Sequence, residues 1–305
     1  GTRVVSVTVT AANAEYILLT WGEAAGEAPE KTTPGVAALH TYNKKGTYTL
    51  KVQAHANENL FIAEQKEVVV PGPPVPAIEI NTTVGYTTPP SYPGMTLSWS
   101  DEFNGEEINK DVWVFEEGTG TNGWGNNEQE YYREVNTTFK SGCLVITAKR
   151  ENFVNSQYTS SRIKTQGKKN FKYGRIDIRA ILPRGQGIWP AFWFLGSNIT
   201  TVGWPACGEI DMTEMIGGNN RENTVYGTLH WNSNGHVCTC DKPGYVLPSG
   251  SFYDKFHVFS MEWTETSIKW FVDDVQFNVI DTSPSGLNAF RADYFFIMNL
   301  AVGGN

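Results

Sequence analysis

Apolar and polar residues alternate in short runs along most of this chain, and Gly, Pro, Asn or Asp separate the runs. Runs of this kind predict β-strands, because neighbouring side chains of a strand point to opposite faces of the sheet. No long run with the 3.6-residue period of a helix interrupts them. The pattern therefore predicts an all-β protein.

The runs fall into two groups, which predict two domains. The first group predicts a small immunoglobulin-like β-sandwich over residues 1–70, and its runs are Val4 to Val9, Tyr16 to Trp21, Gly46 to Ala54 and Glu67 to Val70. The second group predicts a double-sheet sandwich of the β-jelly-roll type over residues 95–305. Its runs are 142–149, 174–181, 187–195, 208–215, 224–231, 256–264, 267–272 and 294–302.

Residues 71–94 separate the two groups and are rich in Pro, Thr, Gly and Tyr, which predicts a linker. An extended, polyproline-like linker would hold the domains apart. The alternative is a segment that lies along the second domain. The chain ends at Gly303-Gly304-Asn305 without a closing strand, so we expect the natural protein to continue with further C-terminal strands.

Composition and charge narrow the classes of function. Aromatic residues make up 13% of the chain, which predicts exposed rings beyond those that a core needs. The formal net charge is -8 and the Lys and Arg residues are scattered, so nucleic acid is not an expected partner. No run of 18 apolar residues occurs, so the sequence predicts no transmembrane segment.

The four cysteines do not indicate a redox compartment. Cys143, Cys207, Cys238 and Cys240 fit neither a disulfide-dense scaffold nor a paired C-x-x-C zinc site. One residue separates Cys238 from Cys240, and we expect this spacing to be too short for an ordinary disulfide between them. Cys207 is expected to be a small buried side chain rather than a reactive one.

The segment Gly208-Glu-Ile-Asp-Met-Thr-Glu214 contains the candidate catalytic residues. On a regular strand Glu209 and Asp211 share one face, and Thr213 rather than Glu214 would be next on it. A β-bulge after Asp211 would restore Glu214 to that face. We therefore predict three carboxyl groups in one row.

A row of like charges raises the pKa of at least one member. A retaining glycosidase needs this difference, because one carboxylate attacks while a second, protonated carboxyl group donates, with about 5 to 5.5 Å between them. The middle carboxylate can then steady the charge of the nucleophile. Two other interpretations of the triplet stay open on the residues alone, namely an acidic strand that faces solvent and a cation site.

An aromatic run lies just upstream of the acids. The segment Gly187-Ile-Trp-Pro-Ala-Phe-Trp-Phe-Leu-Gly196 places Trp189 and Trp193 an even four residues apart, hence on one strand face. Flat rings in a cleft beside acids are typical of sugar sites, because the apolar C–H faces of a sugar stack on them.

Five segments together resemble those of family 16 glycoside hydrolases, and within that family those of the laminarinase-type endo-β-1,3-glucanases. The resemblance runs from about Ser98 to Asn305. The triplet has one extra residue before Glu214, as in the laminarinase branch, whereas the triplet of the lichenase and carrageenase branches is one residue shorter. The segments are Gly123-Trp-Gly-Asn-Asn-Glu128, Ser161-Arg-Ile-Lys-Thr165, Gly187-Ile-Trp-Pro-Ala-Phe-Trp193, Gly208-Glu-Ile-Asp-Met-Thr-Glu214 and Asn299-Leu-Ala-Val-Gly-Gly304.

The resemblance implies an enzyme that hydrolyses β-1,3-glucosidic bonds in laminarin-type glucans with retention. It implies Glu209 as the nucleophile, Asp211 as its assisting carboxylate and Glu214 as the general acid/base. It also implies substrate-binding residues, which are Trp189, Trp193 and Trp204 for stacking on sugar rings and Asn126, Arg162, His230 and Asn299 for hydrogen bonds to hydroxyl groups. For each binding residue a purely structural role is the alternative.

The same resemblance implies no cofactor for catalysis and a structural calcium ion in many members. Glu102 matches the calcium-binding Glu of the first strand, whereas the Asp of the last strand would lie beyond Asn305. The stretch from His40 to Val52 resembles PKD-type domains, which are immunoglobulin-like modules often attached to extracellular polysaccharide-degrading enzymes. We therefore expect a monomer that is secreted or exposed at the cell envelope, with β-glucan as its partner.

Three other functions compete with this one. They are a mixed-linkage β-1,3/1,4-glucanase, a transglycosylase of the same family, and a glucan-binding jelly-roll without turnover. The intact set of Glu209, Asp211 and Glu214 argues against the last, because a lectin needs aromatic platforms but no pair of carboxyl groups with different pKa values. Residues 1–70 are either a passive spacer or a surface for glucan or a partner.

Overall fold

The computed structural model describes residues 4–42, 44, 46–70 and 80–304. The chain divides into two compact units, Gly1–Glu79 and Ile80–Asn305. Strands are the main regular structure of both units, and the prediction of an all-β protein is confirmed. In the described part of the chain, no helix is both long enough and apolar enough to cross a membrane.

The described residues of the first unit form six strands in two sheets. Strand β1 pairs with β4, and the second sheet has the order β3-β2-β5-β6. Alternate residues of β2, Ile17 and Leu19, are fully buried and pack with Tyr42 and Leu50 between the sheets. The strands are β1 (Val4–Thr8), β2 (Tyr16–Thr20), β3 (Glu30–Thr32), β4 (Ala37–Thr41), β5 (Gly46–Asn57) and β6 (Leu60–Val70).

This two-sheet unit agrees with the predicted small sandwich, although two of its strands were not predicted. Strands β3 and β4 escape the pattern because they are short and mostly exposed. Strand β6 begins at Leu60, whereas the predicted run began at Glu67. The prediction missed the first part of the strand because its first eight residues are exposed on both faces and show no alternation of burial. The likeness to PKD-type domains stays a prediction.

The second unit is a sandwich built on an eight-stranded sheet and a four-stranded sheet. The large sheet has the order β18-β17-β16-β15-β23-β13-β7 with β19 added to β17, and the small one has the order β14-β20-β21-β22. The strands are β7 (Val114–Glu116), β8 (Glu130–Tyr132), β9 (Thr137–Lys140), β10 (Cys143–Ile146), β11 (Lys149–Phe153), β12 (Ser156–Ser160), β13 (Arg162–Lys164), β14 (Gly174–Ala180), β15 (Ile188–Gly196), β16 (Glu209–Glu214), β17 (Thr224–Asn232), β18 (His236–Cys238), β19 (Tyr245–Val246), β20 (His257–Trp263), β21 (Ser267–Val272), β22 (Val275–Asp281) and β23 (Tyr294–Val302).

The core of this unit lies between the eight-stranded and the four-stranded sheet. Ile210 and Met212 of β16 pack there with Phe259 and Met261 of β20, and all four are almost fully buried. Because side chains alternate along each strand, the opposite face of the eight-stranded sheet is available for polar chemistry. We call that opposite face the site face. The arrangement is the predicted β-jelly-roll sandwich.

Every predicted run from Gly174 onward coincides with a strand to within one residue at either end. The run over residues 142–149 instead divides between β10 and β11. The sequence pattern missed the short strands β7, β13 and β18, because three residues are too few to show a period of two.

Residues 80–94 of the predicted linker belong to the second unit and lie along it, as in the second of the two alternatives. The backbone N–H of Tyr86 donates to the carbonyl oxygen of Phe256 at 2.9 Å. The Tyr92 hydroxyl donates to Asp177 at 2.7 Å, and Arg179 Nε donates to the Tyr86 carbonyl oxygen at 2.6 Å. Residues 71–79 lie outside the described part of the chain.

The expectation that Cys238 and Cys240 do not pair is wrong, because a disulfide joins them. Strand β18 ends at Cys238, and the turn that follows sets the two Cα atoms 5.3 Å apart, which is within the usual range for a disulfide. Cys143 and Cys207 are free thiols, and Cys207 is buried as expected.

Candidate active site

Glu209, Asp211 and Glu214 lie on β16, and the backbone pairing reveals the predicted bulge. On β15, Trp193 pairs with Asp211 and Ala191 pairs with Glu214, so two steps on β15 match three on β16. The pairing with β17 shows the same mismatch between Asp211 and Glu214. The extra residue turns Glu214 to the face that already carries Glu209 and Asp211. We call these three side chains the carboxyl row.

A glycine fixes the entry of the chain into β16. Gly208 has a φ of +79°, a conformation that residues with a Cβ rarely adopt. A Cβ at this position would lie 2.0 Å from the hydroxyl oxygen of Tyr294. Glycine is therefore the residue that lets the chain pass directly against the Tyr294 side chain as it enters β16.

Three ring side chains contact the carboxyl row. Trp204 Nε1 donates to Glu209 Oε2 at 3.0 Å. Trp189 Nε1 donates to Glu214 Oε1 at 3.0 Å. His230 Nε2 lies 3.1 Å from Asp211 Oδ2 and 3.8 Å from Glu209 Oε1. The His230–Asp211 contact is close enough for an ion pair but does not have hydrogen-bond geometry, and Asp211 Oδ2 has no hydrogen-bond partner in the described structure.

Burial makes the carboxyl row hold protons more strongly than exposed acids do. Burial raises the pKa of Glu209 well above its ordinary value, the charge of Asp211 adds to this rise, and His230 and the Trp204 N–H oppose it. The pKa of Asp211 is also well raised, by burial and by the charge of Glu214. Burial raises the pKa of Glu214, against His230 and the Trp189 N–H. The row therefore retains at least one proton towards neutral pH.

The strand register places Arg162 and Asn299 on the same rung of the sheet as Glu214. Arg162 pairs with Asn299, Asn299 pairs with Ala191, and Ala191 pairs with Glu214, so these four residues form one rung across the sheet. Trp193 Nε1 donates to Asn299 Oδ1 at 2.8 Å. Trp193 and Asn299 therefore hold each other on the site face.

Arg162 is buried and its charge is balanced inside the protein. Its Nε donates to Glu116 Oε2 at 2.5 Å, and Lys164 also pairs with Glu116. The guanidinium carbon lies 4.5 Å from the centre of the Trp124 ring and 4.9 Å from that of the Trp193 ring. Arg162 therefore supports two indole rings of the site face.

Asn126 lies on the loop of residues 123–127, which belongs to one of the five segments that carry the family resemblance. Hydrogen bonds connect this loop to buried polar groups. Asn126 Nδ2 donates to Glu128 Oε1 at 3.0 Å, and the Tyr132 hydroxyl donates to Glu128 Oε2 at 2.7 Å. Asn299 Nδ2 donates to the Tyr132 hydroxyl oxygen at 3.0 Å. A continuous chain of hydrogen bonds thus joins Trp193, through Asn299, to the loop.

Glu130 lies at the base of this network. It is fully buried, and its Oε2 accepts the Val302 N–H at 2.6 Å, while its Oε1 has no partner in the described structure. Burial and the negative charge of Glu128 raise the pKa of Glu130 to about 8. Glu130 is therefore protonated at neutral pH in the folded protein.

We expect Glu130→Gln to flatten the pH dependence of stability. The ordinary pKa of this carboxyl is 4.5 and the folded value is about 8, so in this window the folded state binds a proton that the unfolded state lacks. The free energy of unfolding should therefore fall as pH rises through the window, by at most about 1.4 kcal/mol per pH unit, and the neutral Gln should remove this pH dependence.

Urea unfolding of the native protein and of Glu130→Gln across the window measures the two slopes, with the exposed Glu265→Gln as control. Equal slopes in all three proteins would contradict the assignment.

Two groups of side chains in the described structure could hold a metal ion, and both include His230. One adds His236 and Cys238, and the other adds Glu209 and Asp211. The sulfur of Cys238 is disulfide-bonded and is not available as a thiolate ligand. Glu102 is exposed and belongs to neither group, so a calcium ion at Glu102 stays a prediction.

The structure brings most of the predicted site residues together. Trp189, Trp204 and His230 contact the carboxyl row itself, whereas Trp193, Asn299 and Arg162 contact one another and Asn126 joins them through a longer network. The sequence prediction missed the residues that hold these groups in place, which are Glu116, Trp124, Glu128, Glu130, Tyr132 and His236. Trp124 and Glu128 belong to segment 123–128, one of the five segments that carry the family resemblance, and this membership could have indicated their part in the site.

A β-jelly-roll that carries a bulged row of three carboxyl groups beside indole rings defines the structural class of jelly-roll glycoside hydrolases. Within that class, the chain belongs to glycosyl hydrolases family 16, whose family model matches residues 121–303. The resemblance inferred from the five sequence segments is thereby confirmed.

Known relatives and a solved structure agree with this membership. The clotting factor G alpha subunit of Tachypleus tridentatus is 44% identical over 218 residues, which cover 70% of this chain and 31% of the relative. Glucan endo-1,3-beta-glucosidase A1 of Niallia circulans is 35% identical over 284 residues, which cover 85% of this chain and 41% of the relative. The chain thus spans less than half the length of either relative.

The laminarinase catalytic domain from Thermotoga maritima MSB8 has the same fold. It superposes with a TM-score of 0.63 at 43% sequence identity, and the match covers 69% of this chain and 88% of that one.

Proposed function

We propose that this protein is a retaining endo-β-glucanase that hydrolyses β-1,3-glucosidic bonds in laminarin-type glucans. The observation that carries the proposal is the bulge of β16, which sets two glutamates at the ends of one row with an aspartate between them. The names of similar proteins, a glucan endo-1,3-beta-glucosidase and a laminarinase, support the choice of β-1,3-glucan.

In the first step Glu209 attacks the anomeric carbon while Glu214 donates a proton to the leaving oxygen. Oε1 of Glu214 accepts the hydrogen bond from the Trp189 N–H, so the acidic proton of Glu214 resides on Oε2. Burial raises the pKa of Glu214, which keeps this proton in place at the pH of the reaction. The Trp204 N–H and the positive charge of His230 favour the ionised form of Glu209.

In the second step water releases the sugar from Glu209. Glu214 is now ionised and accepts a proton from that water, so the anomeric configuration is restored. Asp211 lies between the two glutamates and is almost fully buried. Its carboxyl group shares a proton with its neighbours and steadies the charge on Glu209 as the covalent bond forms and breaks.

Three indole rings and four polar side chains bind the glucan in this proposal. Trp204 is 49% exposed and offers an open ring beside Glu209 for stacking. Trp189 and Trp193 are partly buried and line the same face. The polar residues are Asn126, Arg162, His230 and Asn299, and the burial of Arg162 and Asn299 supports a role for these two at the floor of the site.

Product analysis on a panel of polysaccharides tests the proposal. We expect laminarin to yield a series of short oligosaccharides early in the reaction, and xyloglucan, agarose and carrageenan to stay intact. Stronger turnover of barley-type mixed-linkage glucan would favour the mixed-linkage alternative, and products longer than the substrate would favour a transglycosylase. Binding of laminarin without any product would identify a non-catalytic glucan-binding protein.

A structural calcium ion at Glu102 belongs to the same proposal and takes no part in the reaction, which needs no cofactor. The neighbouring Asp101 is already engaged, because its two carboxylate oxygens accept the Phe103 N–H at 3.0 Å and the Trp113 Nε1–H at 2.8 Å. Removal of calcium by EDTA should lower the melting temperature, and added calcium should restore it. The calcium site would be contradicted if EDTA leaves the melting temperature of the native protein unchanged and Glu102→Gln has that same melting temperature.

The remaining parts of the proposal concern the whole protein. We propose that it acts as a monomer outside the cell or at the cell envelope, where polymeric glucan is accessible. Residues 1–70 serve as a spacer or as a second surface for glucan. Deletion of that unit, followed by laminarin pull-down, separates these two roles.

A further inference from the structure

The hairpin between β17 and β18 brings a second histidine to the site face. His230 pairs with Cys238 and Asn232 pairs with His236, so His236 is the diagonal neighbour of His230 across the hairpin. His236 is exposed, and it belongs to none of the segments that carry the family resemblance.

The two imidazole rings form an edge-to-edge pair. His230 Nδ1 and His236 Nε2 are 2.8 Å apart, the planes differ by 10°, and the ring centres are 5.1 Å apart. Face-to-face stacked rings would have nearer centres, whereas this separation fits a hydrogen bond in the common plane of both rings. One proton therefore lies between the two nitrogens.

His236 also packs against the other ring that reaches the nucleophile. The centres of the Trp204 and His236 rings are 4.7 Å apart, and Trp204 donates to Glu209. His230, on the other side, lies beside Asp211 and Glu209. His236 is thus in contact with both side chains that stabilise the ionised nucleophile.

We propose that His236 is a positioning residue that holds His230 in place and stabilises its positive charge beside Glu209 and Asp211. A charged His230 donates its Nδ1–H to the unprotonated Nε2 of His236 while its Nε2–H faces the acids. Two protonated rings would point N–H groups at each other, so the pair takes up one extra proton and not two. This proposal rests on the proposed glucanase function.

The surroundings of the pair agree with this assignment. The titratable groups that face it are Glu209, Asp211 and Glu214 of β16, all of them acids. The loop that carries Trp204 adds an indole, and Cys238 of β18 is disulfide-bonded. Partial desolvation and the charge of His230 lower the pKa of His236, as a neutral ring that accepts a hydrogen bond from a charged neighbour requires.

The test compares His236→Ala, His236→Gln and the control Ser233→Ala in the full chain. Without an acceptor, His230 loses charge and the pKa of Glu209 rises, so the acidic limb of the kcat/KM profile should move up by on the order of half a pH unit in His236→Ala. The Gln carbonyl can replace the imidazole nitrogen and should restore the limb to that of Ser233→Ala. Equal acidic limbs in all three variants would overturn the proposal.

A second readout does not depend on activity. In protein labelled with ¹⁵N-histidine, the nitrogen shifts of His230 and His236 should show one shared protonation rather than two independent ones. Independent titration of the two rings would overturn the proposal even in an active enzyme. A chain that releases no sugar from any glucan would refute the proposed function, and the nitrogen shifts would still decide whether the histidine pair exists.

Discussion

Glu209→Ala should lower turnover of laminarin by roughly four orders of magnitude while leaving glucan binding nearly intact, because the covalent intermediate cannot form without the nucleophile. Removal of the side chain opens a space beside the anomeric carbon. Azide can enter that space and attack in place of the carboxylate. We therefore expect azide to restore part of the activity on a substrate with a good leaving group and to give a glycosyl azide of inverted configuration.

The control for this prediction is Glu106→Ala, since Glu106 is an exposed glutamate outside the carboxyl row. It should retain full turnover and show no response to azide. Rescue of Glu209→Ala that yields an azide of retained configuration would instead assign Glu209 as the acid/base. Loss of laminarin binding together with turnover would assign it to substrate binding.

Glu214→Ala should abolish the alkaline limb of the pH profile for substrates with good leaving groups. In the native protein, burial raises the pKa of Glu214, and activity falls as pH rises through that pKa because the proton donor is lost. A good leaving group needs no proton, so its first step should survive the substitution, whereas laminarin hydrolysis should fall by roughly two to four orders of magnitude. Initial rates across a pH series measure both effects.

Trp189→Phe provides the matched variant. It keeps an aromatic ring but removes the N–H that Glu214 Oε1 accepts, and this N–H lowers the pKa of Glu214. The alkaline limb should therefore move to higher pH in Trp189→Phe, not disappear. An alkaline limb that is the same in the native protein, Trp189→Phe and Glu214→Ala would show that Glu214 is not the acid.

The sequence was sufficient to predict the carboxyl row, because strand periodicity is a strict rule. A triplet with spacing of two and then three residues shares one face only if a bulge absorbs the extra residue, and the pairing of β16 with both neighbours contains that bulge. Trp189 and Trp193 followed from the same rule. Local patterns of this kind need no knowledge of distant contacts.

The contacts that hold the site depend on distant parts of the chain, and the sequence pattern did not predict them. Arg162 pairs with Glu116 because β7 lies beside β13, and with Asn299 because β23 lies on the other side of β13, a strand order that no local pattern shows. The bond from Asn299 to Tyr132 likewise joins two strands that are distant in sequence, β23 and β8. The disulfide of Cys238 and Cys240 depends on a turn that their spacing alone does not reveal.

The anomeric configuration of the first product tests the central claim most directly. Retention requires about 5 to 5.5 Å between the two catalytic carboxyl groups, a separation that leaves no room for a water between the acid and the sugar. We assign that pair to Glu209 and Glu214, which lie at the ends of one bulged row. Proton NMR during the first minutes of laminarin hydrolysis should show the new reducing end as the β-anomer, with the α-anomer appearing later through mutarotation. The α-anomer as first product would contradict the assignment of Glu209 as nucleophile and Glu214 as acid/base.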